Sequence, residues 1–411
     1  MMRFPVLLLA AVSVLVACGG GSPAPPSPTS VGPDAGSATG YRVFVHSPDS
    51  VRRLASTSDA ASKLPLGVLA TSGKQLYAVY ASVASDLRSF DTATGALTAE
   101  LKLPAYYSEI AGQSLSGGYL VLTGAENGAT RFASVPSGLQ GTVHSALLTN
   151  NFSFDALSND GRWLYLIEHF TNGLDYHVRR YDLVEGRLDP NILVEKGAST
   201  TALMNGERYA SVADYSTVYS LYYGKSGAFV HALALDGGPI RCFDLPGPRA
   251  LDPQRQRQWA LAFGPGRDAL FAVNAAEGQV SRINLNSGQI SSGTFSPPTA
   301  EGSWWSPVTT AQAKEFDQGT GSAAVSPDGK TLFASSLYGY VAIDATTLKL
   351  RGAYLTGSLV DSLAVTPDGR WLLAVQDLNQ LVRIDPARGR VDHVLLSARG
   401  PLSVLRVDAV S

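Results

Sequence analysis

The chain has 411 residues, enough for two or three ordinary domains or for one large repetitive one. Charged residues make up only 16%, and 41 Gly and 23 Pro punctuate the sequence, a profile suited to many short strands joined by tight turns. With 32 Lys and Arg against 34 Asp and Glu, the net charge of −2 supplies no basic field for nucleic acid, and no nucleic-acid partner is expected.

At the N-terminus Arg3 precedes an apolar run, Phe4 to Val16, that is too short to span a bilayer and ends in Ala17-Cys18-Gly19-Gly20. This pattern reads as a signal peptide over residues 1–17. The string Leu15-Val16-Ala17-Cys18 resembles the bacterial lipobox, in which the cysteine is lipidated and becomes the new N-terminus. A plainer alternative is an ordinary signal peptide with a cysteine at its cleavage site. The lipobox resemblance implies export, a membrane contact through lipid on Cys18, and residence in the cell envelope. Gly19 stands where an Asp would retain such a protein at the inner membrane, so the periplasmic side of the outer membrane is expected by analogy. Residues 18–40 are almost wholly Gly, Ser, Pro, Ala and Thr, which cannot form a core and read as a flexible tether. The one other cysteine, Cys242, lies in the alternating strand pattern Ile240 to Asp244, where a small core side chain is expected; no intramolecular disulfide can form with a lipidated Cys18.

Residues 41–411 carry a repeat. Ala324-Val325-Ser326-Pro327-Asp328-Gly329-Lys330-Thr331-Leu332-Phe333-Ala334 recurs forty residues later as Ala364-Val365-Thr366-Pro367-Asp368-Gly369-Arg370-Trp371-Leu372-Leu373-Ala374. Each copy is a strand, a turn and a second strand; third strands follow at Tyr340 to Asp344 and Leu381 to Asp385, and fourth strands at Leu348 to Gly352 and Arg390 to Leu395. Four antiparallel strands in about forty residues make one blade of a β-propeller. Weaker copies place turn glycines at Gly73, Gly118, Gly161, Gly206 and Gly266. Spare strands at both ends, Tyr41 to His46 with Ser50 to Leu54 and then Leu402 to Val407, pair to complete one further blade. The expected fold is therefore all-β, a single propeller of eight blades, or of seven if the copy around Gly206 belongs to a neighbour.

Ser326 to Phe333, followed by Gly339 to Thr347, resembles the YVTN-type propeller repeat, which is related to the propellers of lactonases and of the amine dehydrogenase heavy chain. The resemblance is good over the last ninety residues and fair near Gly73 and Gly161. It implies fold more than activity, because such propellers include enzymes, electron-transfer scaffolds and binding proteins. No catalytic motif of those families falls on this chain.

Propeller topology puts the turns from first to second strand on one face, and the second-to-third turns and blade-to-blade connections on the other. Two long insertions, Asp214 to Gly227 and Ser296 to Gly319, are assigned to that second face. They bring Tyr215, Tyr219, Tyr222, Tyr223, Trp304 and Trp305, to which Tyr106, Tyr107, His169 and Asp175 add. Exposed rings with polar tips suit a protein, peptide or glycan, although the same rings could simply pack loops onto the blades. None of the six histidines has metal-ligand spacing, so no metal and no cofactor is expected. The leading expectation is a binding or scaffolding module; the alternative is a lactonase-like hydrolase or dehydrogenase subunit acting at the central channel. Substituting Cys18→Ser should abolish incorporation of radiolabelled fatty acid and move the protein to the soluble fraction. Persistent membrane attachment of that variant would contradict the anchor.

Overall fold

Short local patterns set the blades. In the turn after the first strand of the seventh blade, Ser326 Oγ donates to Asp328 Oδ1 (2.6 Å), which also accepts the Lys330 amide (3.0 Å), and Gly329 turns at φ +70°. The following copy repeats it with Thr366, Asp368, Arg370 and Gly369. The preceding blade also crowds this position: a Cβ on Gly161 would fall 2.6 Å from the Tyr119 ring, and one on Gly369 a tight 3.3 Å from Pro327 Cδ. The turn glycines thus serve both the backbone angle and the close stacking of blades. At the other hairpin on the same face, Asp91, Asp182, Asn284, Asp344 and Asp385 each accept backbone amides two residues on, the Asx turn that closes third to fourth strand.

The computed structural model describes residues 40–56, 58–81, 84–149, 151–170, 174–194, 203–247, 253–299 and 321–410. These form eight antiparallel sheets, each one blade. Blade 1 combines Ser403–Val410 as its innermost strand with Gly40–Ser47, Ser50–Ala55 and Ser58–Leu64. Blades 2 to 8 follow in chain order over residues 68–102, 109–148, 152–205, 207–244, 259–294, 323–354 and 360–397. In blade 4 the outermost position is shared, since both Arg187–Leu188 and Met204–Asn205 pair with Asp175–Asp182. The one helix among the described residues, Pro253–Gln256, is a single turn.

Eight blades need eight interfaces, and the buried apolar residues sort into eight clusters, one per neighbouring pair. The strand Leu372–Gln376 shows why the second strands read as unbroken apolar runs. Leu372 and Ala374 pack toward blade 7, while Leu373 and Val375 pack toward blade 1. Both faces of the strand are buried, so alternation disappears. Each large side chain so removed from water contributes on the order of 1.5–3 kcal/mol.

Closure is made by backbone pairing. Gly40 pairs Val410 and the register runs to His46 opposite Ser403, with one bulge at Leu405. Arg406 reaches beyond the sheet to the Thr71 carbonyl of blade 2. The pairing of the two chain ends, and with it the eight-blade ring, is as the sequence indicates.

One assignment is corrected. Gly206 precedes an innermost strand, Glu207–Ala213, and not a second one; the next turn is made by Asp214, whose carboxylate accepts the Ser216 and Thr217 amides. The expected insertion from Asp214 to Gly227 is instead that turn, the second strand Thr217–Gly224 and a tight turn into Gly227–Ala234. Cys242 is half-buried in the outer strand Arg241–Asp244, packed against the core between blades 4 and 5.

Removing residues 402–411 opens the ring and takes Leu402, Val404 and Val407 out of the cluster between blades 8 and 1. The truncation should cost more than loss of any single core side chain, about 2–5 kcal/mol, read from the urea midpoint. A truncated chain that unfolds with the parent midpoint would contradict the closure.

Candidate functional site

Strand direction divides the loops between two faces. First-to-second and third-to-fourth turns make the glycine-turn face; second-to-third turns and blade-to-blade connectors make the connector face. The five exposed aromatic side chains among the described residues are Tyr80, Tyr106, Phe170, Tyr215 and Tyr338. Four of them stand on the connector face: Tyr80 near the end of a second strand, Phe170 and Tyr338 in second-to-third turns, and Tyr106 in the connector from blade 2 to blade 3. Leu66, Leu174 and Leu203 are exposed on the same face. Tyr215, 81% exposed, lies on the other face, in the turn at Asp214, with the Arg267 guanidinium 5.5 Å from its ring centre.

The other aromatic residues singled out from sequence divide differently. Tyr107 is buried between blades 2 and 3, its backbone held in both directions by Ser85 Oγ at 2.8 and 2.9 Å. Tyr219, Tyr222 and Tyr223 belong to the strand Thr217–Gly224 and are buried, so they do not contribute to a loop surface. The cause is the misplaced strand: a second strand buried on both sides is aromatic-rich for packing, as a loop is not. Trp304 and Trp305 lie outside the described residues.

His169 and Asp175 do sit together at the top of blade 4, at the two ends of its second-to-third connection, where the Phe170 amide donates to the Asp175 carbonyl at 3.1 Å. The structure adds partners that the sequence did not reveal. His169 Nε2 lies 2.7 Å from Ser153 Oγ on the innermost strand of the same blade, and Asn205 Nδ2 donates to Asp175 Oδ1 at 2.5 Å. Burial, and the nearby Arg208 charge, hold the His169 imidazole below the usual histidine range. Beside it Arg179 and His177 flank Glu168, with Arg179 Nη1 2.8 Å from the carboxylate.

Deeper, the innermost strand Phe152–Leu157 bulges at Asp155, which turns this carboxylate toward blade 5. There Arg208 Nη1 donates to it at 2.8 Å. The Asp155 side chain is 3% exposed, and burial pushes its carboxyl up despite the opposing Arg208 charge. Under this pair a ring ladder crosses the interface: Tyr176 stacks on Tyr222 at 5.1 Å, Tyr222 on Phe229 at 5.5 Å, and His231 leans on Tyr222 at 5.8 Å. Burial raises the phenols of Tyr176 and Tyr222 far above their ordinary range, so both stay protonated. His231, fully enclosed, is pushed down to about 3 and is neutral. The region offers a polar mouth with a Ser–His contact, resting on a rigid aromatic floor.

Two cavities lie elsewhere. One of about 450 Å³ opens on the glycine-turn face between blades 3 and 4, lined by Tyr119, Gln140, Thr142, His144, Asp160 and Arg162 among others. A second of about 520 Å³ lies at the seam between blades 8 and 1. Among the described residues no three His, Cys, Asp or Glu side chains come together as a metal site.

No protein-family model matches the chain, and no curated protein matches it in sequence. Solved structures do share its fold. The chain is similar to apo AztD from Citrobacter koseri, with a TM-score of 0.54 and 11% identity over 90% of this chain and 99% of that one. It is equally similar to the dihydro-heme d1 dehydrogenase NirN, solved in complex with DHE, with a TM-score of 0.54 and 14% identity over 90% of this chain and 75% of that one. At such identities the likeness is one of β-propeller fold alone.

The neutral state of His231 has a measurable consequence. Its imidazole takes up a proton near pH 6.5 when unfolded and only near pH 3 when folded, so its contribution to stability is full above pH 6.5 and is lost as pH falls. The slope from this one group is about 1.4 kcal/mol per pH unit. Replacing His231→Leu should flatten the pH dependence of urea unfolding between pH 6.5 and 4.5 by that amount. An unchanged slope would show that the imidazole is not buried neutral.

Proposed function

We propose that this chain is a lipid-tethered binding or scaffolding propeller of the cell envelope, which holds a protein, peptide or glycan on its connector face. The observation that carries this reading is the one-sided distribution of exposed rings, four of five on the connector face. Aromatic side chains at low conformational cost are what interface centres use. The signal-peptide pattern over residues 1–17, the lipobox-like Cys18 and the Gly/Ser/Pro composition of residues 18–40 support the tethered part of this reading.

A second reading, a hydrolase working at the channel mouth, draws on the Ser153–His169 contact. A neutral imidazole within hydrogen-bond reach of a hydroxyl is the geometry of an activated nucleophile. Among the described residues no carboxylate is hydrogen-bonded to His169 to orient the imidazole. Labelling of Ser153 by a serine-directed phosphonate, lost in a His169→Ala variant, would move the assignment to this reading.

The binding reading is tested by photo-crosslinking in cells. Benzoylphenylalanine placed at Tyr106, Phe170 or Tyr338 should yield discrete adducts, while the same residue at Tyr215 on the opposite face should not. Adducts from Tyr215 alone, or from all four positions equally, would contradict a connector-face partner.

A further inference from the structure

The seam cavity is built from the two ends of the ring. One wall is the turn Ser47, Pro48, Asp49 with Arg52, from the second and third strands of blade 1. The other is Leu396 to Gly400 with Leu402, the end of the outer strand of blade 8 and the connector that leads into the closing strand. This connector is firmly set. The Ala398 amide donates to the Asn379 carbonyl at 2.9 Å, the Leu402 amide donates to the Leu378 carbonyl at 2.6 Å, and Gly400 abuts Pro48 so closely that a Cβ would fall 2.8 Å from its ring. Leu402 is 2% exposed in the core shared by blades 8 and 1.

The charge around the cavity is positive. Lys63 Nζ binds Asp49 Oδ2 at 2.6 Å, and Ser47 and Ser50 also donate to that carboxylate, so the one acidic group is already occupied. Arg52 lies a loose 3.8 Å from Asp49. Arg399 is exposed and makes no ion pair among the described residues. Two cations, Arg52 and Arg399, thus line the cavity while its one carboxylate is already engaged by Lys63, and Ser397 stands on the same rim. A volume of about 520 Å³ is that of a small-molecule site.

We propose that this seam cavity binds a small organic anion through a phosphate or carboxylate group held by Arg52 and Arg399, and that its occupancy locks the ring closed. Guanidinium groups match both oxyanions in bidentate geometry. Because the two walls come from residues 47–52 and 396–402, the cavity exists only while the closing strand is docked. A ligand that binds the closed ring and not the open chain must therefore stabilise closure. The inference stands apart from the connector-face partner proposed above, since it needs neither the aromatic residues nor the lipid.

Thermal unfolding of the full-length protein in detergent tests it, with ionic strength held constant by sodium chloride. The probes are inorganic phosphate, citrate and glucose 6-phosphate, with glucose as the neutral control. At least one anion should raise the melting temperature saturably, while glucose and chloride should not. In an Arg399→Ala variant the unliganded melting temperature should be unchanged, and the anion should bind roughly tenfold more weakly or not at all. A saturable rise that is the same in Arg399→Ala, or the absence of a saturable rise with all three anions, would overturn the proposal.

Discussion

Everything in this molecule depends on one strand pairing, Gly40–Ser47 against Ser403–Val410. A four-stranded blade has two apolar faces and no core of its own; each face is buried only by a neighbour. Seven of the eight interfaces form between segments that follow each other in the chain. The eighth relies on a blade whose strands are paired across more than 350 residues, and without that interface blades 8 and 1 would each present a bare apolar face to water. Loop-closure entropy rises only slowly with length, so bringing the ends together is thermodynamically modest beside the surface it buries. The kinetic consequence is larger, because the last interface must wait for the rest of the ring.

The glycine-turn signal was readable because its demands are local. A positive φ, a carboxylate that accepts its own downstream amides and a pair of apolar runs are all visible in Ser326 to Phe333 without knowledge of any neighbour. The same rule failed at Gly206 for a tertiary reason. That glycine is small because Tyr222, Tyr223 and Phe229 crowd it, within 3.3 Å of where a Cβ would sit, while the real turn eight residues later uses Asp214 and no glycine. The blade count survived this error, since a misassigned strand does not change the number of repeats. The loop assignment did not survive, and three tyrosines moved from the surface to the core.

The polar mouth of blades 4 and 5 was legible only in its local part. His169 and Asp175 flank one turn and could be noticed together. Ser153, Asp155 and Arg208 come from the innermost strands of two blades, 53 residues apart in the case of the ion pair, and meet only through register. The bulge that turns Asp155 toward Arg208 has no sequence mark beyond a polar residue in an apolar strand. A buried pair of this kind adds little net stability and is costly to break, which makes it a device of geometry more than of strength. It ties the innermost strand of blade 4 to that of blade 5.

Native-state hydrogen exchange on the closing strand measures this dependence directly. If ring closure is cooperative with the rest of the fold, the amides of Ser403–Val410 that pair with Gly40–Ser47 should exchange only through global unfolding. Their opening free energy should match that of the central strand Leu372–Gln376. Exchange of the closing strand at a distinctly lower free energy, with blades 2 to 7 still protected, would show that the ring holds without its seam and would contradict the account.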